Sequence, residues 1–157
     1  MRVAITGASG YLGRITMSAL ESDESVSEVI GIDLKEPAYT SGKLRFIPLD
    51  VRSPLIADCL RNYEVDTVLH LAWVFNPNYD ARRTYDINVN GTETVMSACK
   101  ETAVKHLIIP GSTTAYGAHP DNPEWLTEKS PIRGNRSFPY SHHKALVEDL
   151  CDEFERQ

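Results

Sequence analysis

Short apolar runs alternate with segments of helical periodicity along the whole chain. The runs are rich in β-branched residues, as buried parallel strands are, and they cover residues 2–6, 26–32, 44–49, 65–72 and 104–110. Helices are predicted at residues 11–20, from Ser53-Pro54 onwards, at 80–101 and at 139–157. This alternation predicts an α/β fold, a doubly wound parallel sheet with strand order 3-2-1-4-5 and helices on both faces.

Three glycines, Gly7, Gly10 and Gly13, follow the first run at three-residue intervals. Between a strand and a helix, such a turn can bind a dinucleotide pyrophosphate, because the helix offers free N–H groups and partial positive charge. Gly7 is expected to permit the tight turn, Gly10 the approach of the phosphates, and Gly13 the packing of helix on strand. With Tyr11 and Leu12 opening the helix, the pattern predicts a Rossmann-type dinucleotide site. The alternative is a glycine-rich turn without a ligand.

Two acidic residues end the next two runs. Asp33 lies 20 residues beyond Gly13, the separation expected of an acid that accepts hydrogen bonds from the adenosine ribose. Because a carboxylate there repels the 2′-phosphate of NADP, the sequence predicts NAD as the cofactor, a preference that the nearby Lys35 would weaken. Asp50 and Val51 close the third run, where a carboxylate is expected to accept the amino proton of adenine.

The fourth run ends in His70-Leu71-Ala72, and Leu71 and Ala72 are expected to run beneath the pyrophosphate and the nicotinamide ribose. His70 lies in an apolar run, so a hydrogen-bonded core histidine is favoured over a ligand or a base. Residues 73–79 are predicted to form a loop. Residues 118–138, which are rich in proline and glycine, predict an active-site loop, because long loops in compact domains are usually functional.

Tyr140 and Lys144 are four residues apart on the last predicted helix and therefore share a face. A tyrosine is a weak base at neutral pH, and a cationic neighbour favours its ionised form. Ser112, just after the fifth run, is placed to hydrogen-bond the same substrate oxygen. These residues predict a proton-transfer set beside a hydride acceptor. The alternative for Tyr140 and Lys144 is a pair of helix-surface neighbours.

Composition narrows the choice of partners and compartment. The net charge is −6, from 16 basic and 22 acidic residues without a basic cluster, which argues against nucleic acid or an anionic membrane as a partner. Cys59, Cys99 and Cys151 form no CxxC pair, as expected of a reducing compartment with no metal site. No signal segment precedes the first run, and no apolar stretch is long enough to span a bilayer. We expect a soluble, cytoplasmic protein.

A series of motifs extends across the chain: Gly7-Ala-Ser-Gly-Tyr-Leu-Gly13, Asp33, Asp50-Val51, His70-Leu-Ala72, Asn88-Val-Asn-Gly-Thr92, Ser112 ahead of Tyr116-Gly117, and Tyr140-Ser-His-His-Lys144. In their order and spacing these motifs resemble the extended short-chain dehydrogenase/reductase family. Within that family the chain is most similar to the NAD-dependent epimerase/dehydratase group, which includes nucleotide-sugar epimerases.

The resemblance implies a role for each matching residue. Tyr140 would be the catalytic acid/base, Ser112 its substrate-binding partner, and Lys144 the residue that binds the nicotinamide ribose and tunes the tyrosine. Asn88 would lie near the cofactor or substrate, and Glu148 also matches the family helix. The implied activity is NAD-dependent oxidation of a carbinol carbon, and the implied substrate is a nucleotide sugar. The alternatives are a carbonyl reductase or alcohol dehydrogenase of the same fold, or a non-catalytic NAD-sensing module.

Further expectations follow from the same resemblance. Trp73 stands where a small residue is common, so the pocket beside the nicotinamide is expected to be altered. The stretch 112–116 holds no acid, which favours an epimerase or dehydrogenase over a dehydratase. Family members are about twice this length, so an N-terminal fragment ending before the sixth strand and the substrate lobe is expected, with a natural short form as the alternative. A homodimer would pair through residues 80–101 and 140–157.

Overall fold

The computed structural model describes residues 1–75 and 80–156. Five parallel strands form one sheet in the order β3-β2-β1-β4-β5. They are β1 (Arg2–Thr6), β2 (Glu28–Asp33), β3 (Leu44–Pro48), β4 (Thr67–His70) and β5 (His106–Ile108). The predicted doubly wound sheet and its strand order are confirmed.

β4 is shorter than the predicted run 65–72, because its partner β1 ends where the chain turns at Gly7. The Leu71 N–H still donates to the Thr6 carbonyl at 3.1 Å. The next N–H, that of Ala72, donates instead to the Thr6 side-chain hydroxyl at 3.2 Å. A side chain thus replaces the strand ladder, and the residues after His70 are released to line the edge of the sheet.

The helices are α1 (Tyr11–Glu21), α2 (Leu55–Asn62), α3 (Ala81–Tyr85), α4 (Gly91–Glu101) and α5 (Pro139–Glu155). A π-helical turn, Asp86–Asn90, joins α3 to α4, so the long helix predicted at 80–101 is present but interrupted. A 3₁₀ turn, Thr113–Tyr116, follows β5. Residues 118–138 contain neither helix nor strand, as predicted. Of the predicted loop 73–79, residues 76–79 lie outside the described residues, as does Gln157.

The sheet is buried on both faces, which fixes the position of its carboxyl edge. Along β1, Val3 and Ile5 belong to a cluster with Met17 of α1, whereas Ala4 belongs to the opposite cluster with Val95 of α4. This alternation follows from the two-residue period of a strand. Both clusters consist of residues less than a tenth exposed, so the strand ends form a rigid platform.

The described residues show no helix with the length and apolar composition that a membrane crossing requires. The same residues show no group of three or more His, Cys, Asp or Glu side chains that could hold a metal ion. All three cysteines are free thiols, and burial raises the pKa of each of them.

Candidate cofactor and catalytic site

Two adjoining cavities lie at the carboxyl ends of the strands. The first, here the β2-side cavity, has a volume of about 210 Å³ and is lined by Asp33, Asp50 and Val51 among others. The second, the α5-side cavity, has a volume of about 390 Å³ and is lined by Tyr140 and Lys144 among others. Both cavities share the lining residues Gly7, Gly10, Leu71, Ala72 and Trp73. They therefore form one groove across the ends of β1 and β4.

A larger and more open depression, of about 770 Å³, lies between α3 and the start of α5. Arg136 of the predicted active-site loop 118–138 lines it, but none of the individually predicted cofactor-binding or catalytic residues does, and no residue of that loop lines the groove. The groove at the strand ends is therefore the candidate site, since the predicted chemistry converges there.

The glycine loop forms the floor of the groove and leaves room for a ligand's phosphates. Gly7 has a φ of +70°, and a Cβ there would lie 2.7 Å from the Ala72 nitrogen. A Cβ on Gly13 would lie 2.5 Å from the Gly7 carbonyl oxygen, so α1 packs closely on the loop as predicted. α1 begins after Gly10 with no side-chain cap. Its first N–H groups and its dipole therefore face the α5-side cavity, which Tyr11 and Leu12 also line.

Asp33 ties the end of β2 to the glycine loop. One carboxylate oxygen accepts the Ser9 N–H at 3.1 Å, and the other accepts the Leu34 N–H at 2.7 Å and the Lys35 N–H at 3.3 Å. The carboxylate thus lines the β2-side cavity in a fixed orientation. This position beside the glycine loop fits the ribose-binding role predicted for it.

Asp50 is held by Arg52, a contact that the sequence analysis missed. The Arg52 guanidinium donates to both carboxylate oxygens of Asp50, at 2.6 and 2.9 Å, and to Asp86 of the π-helical turn at 2.6 Å. These hydrogen bonds hold the pKa of Asp50 below its ordinary value. Asp50 and Val51 line the β2-side cavity, so the predicted adenine end carries a fixed negative charge.

Tyr140 and Lys144 line the α5-side cavity from the first turns of α5. Lys144 is 6% exposed, and its ammonium donates to the Pro110 carbonyl at 2.7 Å. The same ammonium lies 3.8 Å from the centre of the Trp73 ring. Burial lowers the pKa of Lys144, against the opposing field of Glu148. The Tyr140–Lys144 pair therefore faces the groove and is not a helix-surface pair.

Aromatic rings surround Tyr140. Trp73 and Phe75 meet its ring edge-on, with centroid distances of 5.9 and 4.9 Å, and Phe138 lies 6.0 Å away. Phe75 and Phe138 were not predicted as site residues. Their only sequence signal is that each lies within a few residues of a predicted motif.

Ser112 and Asn88 lie behind the groove and line neither cavity. The Ser112 hydroxyl is 2.8 Å from the Thr114 hydroxyl and accepts the Thr114 N–H at 3.3 Å, capping the 3₁₀ turn. Asn88 is 1% exposed, accepts the Val74 N–H at 2.8 Å and donates to the Val74 carbonyl at 2.9 Å. Asn88 therefore fixes the backbone of a residue that does line the β2-side cavity.

His70 is a core residue, as predicted. It is 3% exposed, and its two ring nitrogens contact the hydroxyls of Thr6 at 2.7 Å and Thr92 at 2.9 Å. Burial, with a smaller effect from the Lys144 charge, lowers its pKa to about 4. His70 is thus neutral at pH 7, and Lys144 faces no second positive charge from β4.

Comparisons with known proteins agree with this geometry. The sequence profile of the NAD-dependent epimerase/dehydratase family matches residues 3–157. An uncharacterized protein of Mycobacterium tuberculosis is 31% identical over 146 residues, which cover 87% of this chain and 39% of that protein. UDP-glucose 4-epimerase 2 of Arabidopsis thaliana is 28% identical, with 98% of this chain and 47% of that protein covered.

Solved structures give the same result. The dTDP-glucose 4,6-dehydratase DesIV from Streptomyces venezuelae, solved with NAD bound, superposes with a TM-score of 0.83 at 27% identity, covering 100% of this chain and 52% of that one. MoeE5 in complex with UDP-glucose and NAD has a TM-score of 0.83 at 28% identity, covering 100% and 50%. The chain spans about half the length of these relatives or less. It belongs to the NAD-dependent epimerase/dehydratase family, which confirms the predicted family and its cofactor.

Proposed function

We propose that the protein binds NAD in the groove and oxidises a carbinol carbon of a nucleotide sugar. The observation that carries this proposal is the shared groove, in which the glycine loop, Asp33 and the Tyr140–Lys144 pair line connected cavities. The tight turn at Gly7, the position of Gly10 on the lining of both cavities and the uncapped start of α1 fit a pyrophosphate, and Asp33 fits a ribose diol. When bound, NAD supplies the hydride-accepting ring.

The residues of the chain supply the proton transfer. Tyr140 takes the proton of the substrate hydroxyl at its phenolic oxygen, and Lys144, one helical turn further along α5, lines the same cavity. We assign Ser112 to the same substrate oxygen, a contact that requires its hydroxyl to turn away from Thr114. We also assign the Lys144 ammonium to the binding of the nicotinamide ribose.

The cofactor preference has a direct test. Calorimetric titration of the protein with NAD and with NADP is expected to give substantially tighter binding of NAD, because the Asp33 carboxylate repels a 2′-phosphate. Asp33→Ala is expected to narrow the gap between the two cofactors. Equal or tighter binding of NADP by the wild type would contradict the proposal and show that Lys35 outweighs the acid.

The proposed substrate class rests on the family. The proposed reaction type rests on the absence of an acid in residues 112–116. We therefore propose an epimerase or a dehydrogenase and place a dehydratase second. Incubation of the full-length gene product with NAD and a panel of UDP-, GDP- and dTDP-sugars is expected to yield an epimerised or oxidised product, whereas the present chain is expected to bind NAD better than it turns over a substrate. Turnover of simple carbonyl compounds alone would favour the carbonyl reductase of the same fold. NAD binding without turnover of any substrate would favour an NAD-sensing module.

A further inference from the structure

Trp73 is the one residue that contacts both members of the Tyr140–Lys144 pair among the described aromatic side chains. Its ring face lies under the Lys144 ammonium at 3.8 Å, and its edge meets the Tyr140 ring at 5.9 Å. It also lines both cavities of the groove. Trp73 therefore lies where the β2-side cavity and the α5-side cavity meet.

The charge of Lys144 needs a partner, because the side chain is almost fully buried. Among the described residues it forms no ion pair within 4.0 Å. The titratable groups around it are His70 from β4, which is neutral at pH 7, and Tyr140, Glu148 and Cys151 on α5 itself. Its direct contacts are the Pro110 carbonyl and the Trp73 ring. A tryptophan face is the aromatic surface that attracts a cation most strongly.

The indole N–H takes no part in this contact. Trp73 Nε1 is buried and has no hydrogen-bond partner among the described residues. Because a lost hydrogen bond is not at stake, a substitution that keeps an aromatic face should keep the function of the ring. A substitution by an aliphatic side chain, which has no aromatic face, should remove it.

We propose that Trp73 is a positioning residue, whose ring face holds the Lys144 ammonium beside Tyr140. The ring takes the part of the carboxylate that usually partners a buried ammonium. The expected effect on NAD binding rests on the proposed function, but the contact between Trp73 and Lys144 does not depend on that function. Pro110 fixes one N–H of the ammonium, and the ring fixes its position over the groove. The remaining N–H groups stay available to the ribose and the phenol.

The test compares Trp73→Phe, which keeps an aromatic face, with Trp73→Leu, which does not. Trp125→Leu is the matched control, because Trp125 is 79% exposed and lies outside the groove. NMR of ε-¹³C-lysine-labelled protein is expected to show the Lys144 ε-methylene protons shielded by the ring in the wild type and in the control. The shielding should be reduced in Trp73→Phe and absent in Trp73→Leu. Shielding that persists in Trp73→Leu would overturn the proposal.

A pH titration of the same signal measures the effect on the charge. The ring favours the ammonium form, so the pKa of Lys144 is expected to fall by about one unit in Trp73→Leu. The fall should be smaller in Trp73→Phe and absent in Trp125→Leu. A pKa in Trp73→Leu at or above the wild-type value would overturn the proposal. If Trp73→Leu does not fold, Trp73→Phe decides alone, since a weaker π face must still lower the pKa.

NAD affinity links the contact to the site. Trp73→Leu is expected to bind NAD roughly five- to thirtyfold more weakly, while Trp73→Phe stays within about threefold of the wild type. Trp73→Leu binding as tightly as Trp125→Leu would refute the positioning role. A wild type that does not bind NAD would refute the proposed function, whereas the two NMR measurements would still decide the contact between Trp73 and Lys144.

Discussion

At the scale of single residues, Tyr140 and Lys144 line the same groove, but substitutions of the two are expected to have different effects on turnover and NAD binding. Tyr140→Phe removes one hydroxyl and leaves the ring contacts with Trp73 and Phe75 in place. Loss of a positioned acid/base is expected to lower kcat by roughly 10²–10⁴, with little change in NAD affinity. Lys144→Ala is expected to weaken NAD binding and turnover together, because the proposed mechanism assigns its ammonium to both the nicotinamide ribose and the phenol.

Steady-state kinetics on an accepted nucleotide sugar, beside an NAD titration of both variants, checks this forecast. A Tyr140→Phe protein that keeps most of its kcat would end the proposed mechanism. If both residues were only structural neighbours on a helix, each substitution would change rate and affinity by about twofold at most, the scale of ±0.5 kcal/mol.

His70 makes stability depend on pH. Its folded pKa is about 4, below the ordinary 6.5 of the unfolded chain, so the unfolded state binds the extra proton first as pH falls. The stabilisation is therefore complete above pH 6.5 and is lost between pH 6.5 and about 4, by about 3 kcal/mol. Chemical denaturation across this range is expected to show the fall for the wild type. A His70→Gln variant should show a flatter profile; an equally steep one would assign the effect to other groups.

At the scale of the secondary-structure element, the π-helical turn Asp86–Asn90 directs the Asn88 side chain towards the residues after β4. Asn88→Ala removes both hydrogen bonds to Val74 and leaves the part-buried N–H and C=O of that residue unpaired. The expected cost is about 2 kcal/mol of unfolding free energy, together with faster hydrogen exchange at the Val74 amide. Asn90→Ala is the control in the same turn, because the exposed Asn90 side chain donates to Asp86 and not to the loop after β4. Equal effects of the two substitutions would show that the turn itself, and not the bond to Val74, is at work.

Elements were predictable from sequence where the signal is local. The run 2–6 and the glycine spacing predicted β1, the turn and α1, since strand period, steric freedom and helix start all depend on neighbouring residues. The interruption of the long helix at Asp86–Asn90 was not predictable, because it accompanies a contact of Asn88 with Val74, 14 residues away. The contact between Trp73 and Lys144 joins residues that are still farther apart in the sequence, which indicated only an altered pocket beside the nicotinamide.

At the scale of the whole molecule, the parallel sheet explains why residues spread from Gly7 to Lys144 meet in one groove. The glycine loop, Asp33, Asp50 and Leu71-Ala72 follow strands directly, and the carboxyl ends of parallel strands lie at one edge. Lys144 reaches the same edge from α5 by donating to the Pro110 carbonyl after β5. We propose that the protein forms a homodimer through residues 80–101 and 140–157; within these ranges, α3 and α4 pack against α5 in the chain. Analytical ultracentrifugation is expected to give twice the mass of the chain, and a monomer at micromolar concentration would contradict this.

The groove also couples cofactor binding to the stability of the entire fold, because it includes the ends of β1, β2 and β4 and the start of α5. A ligand that binds only the folded state adds about 2.7 kcal/mol at a hundred times its Kd. For a protein of 157 residues this corresponds to a rise in Tm of roughly 5–10 °C. Thermal unfolding with NAD is expected to show this rise, and NADP at the same concentration a smaller one. In Asp33→Ala the difference between the two rises should shrink, because the repelling carboxylate is gone. NADP stabilising the wild type as much as NAD would contradict the role assigned to Asp33, and stabilisation by neither would contradict a dinucleotide site in this groove.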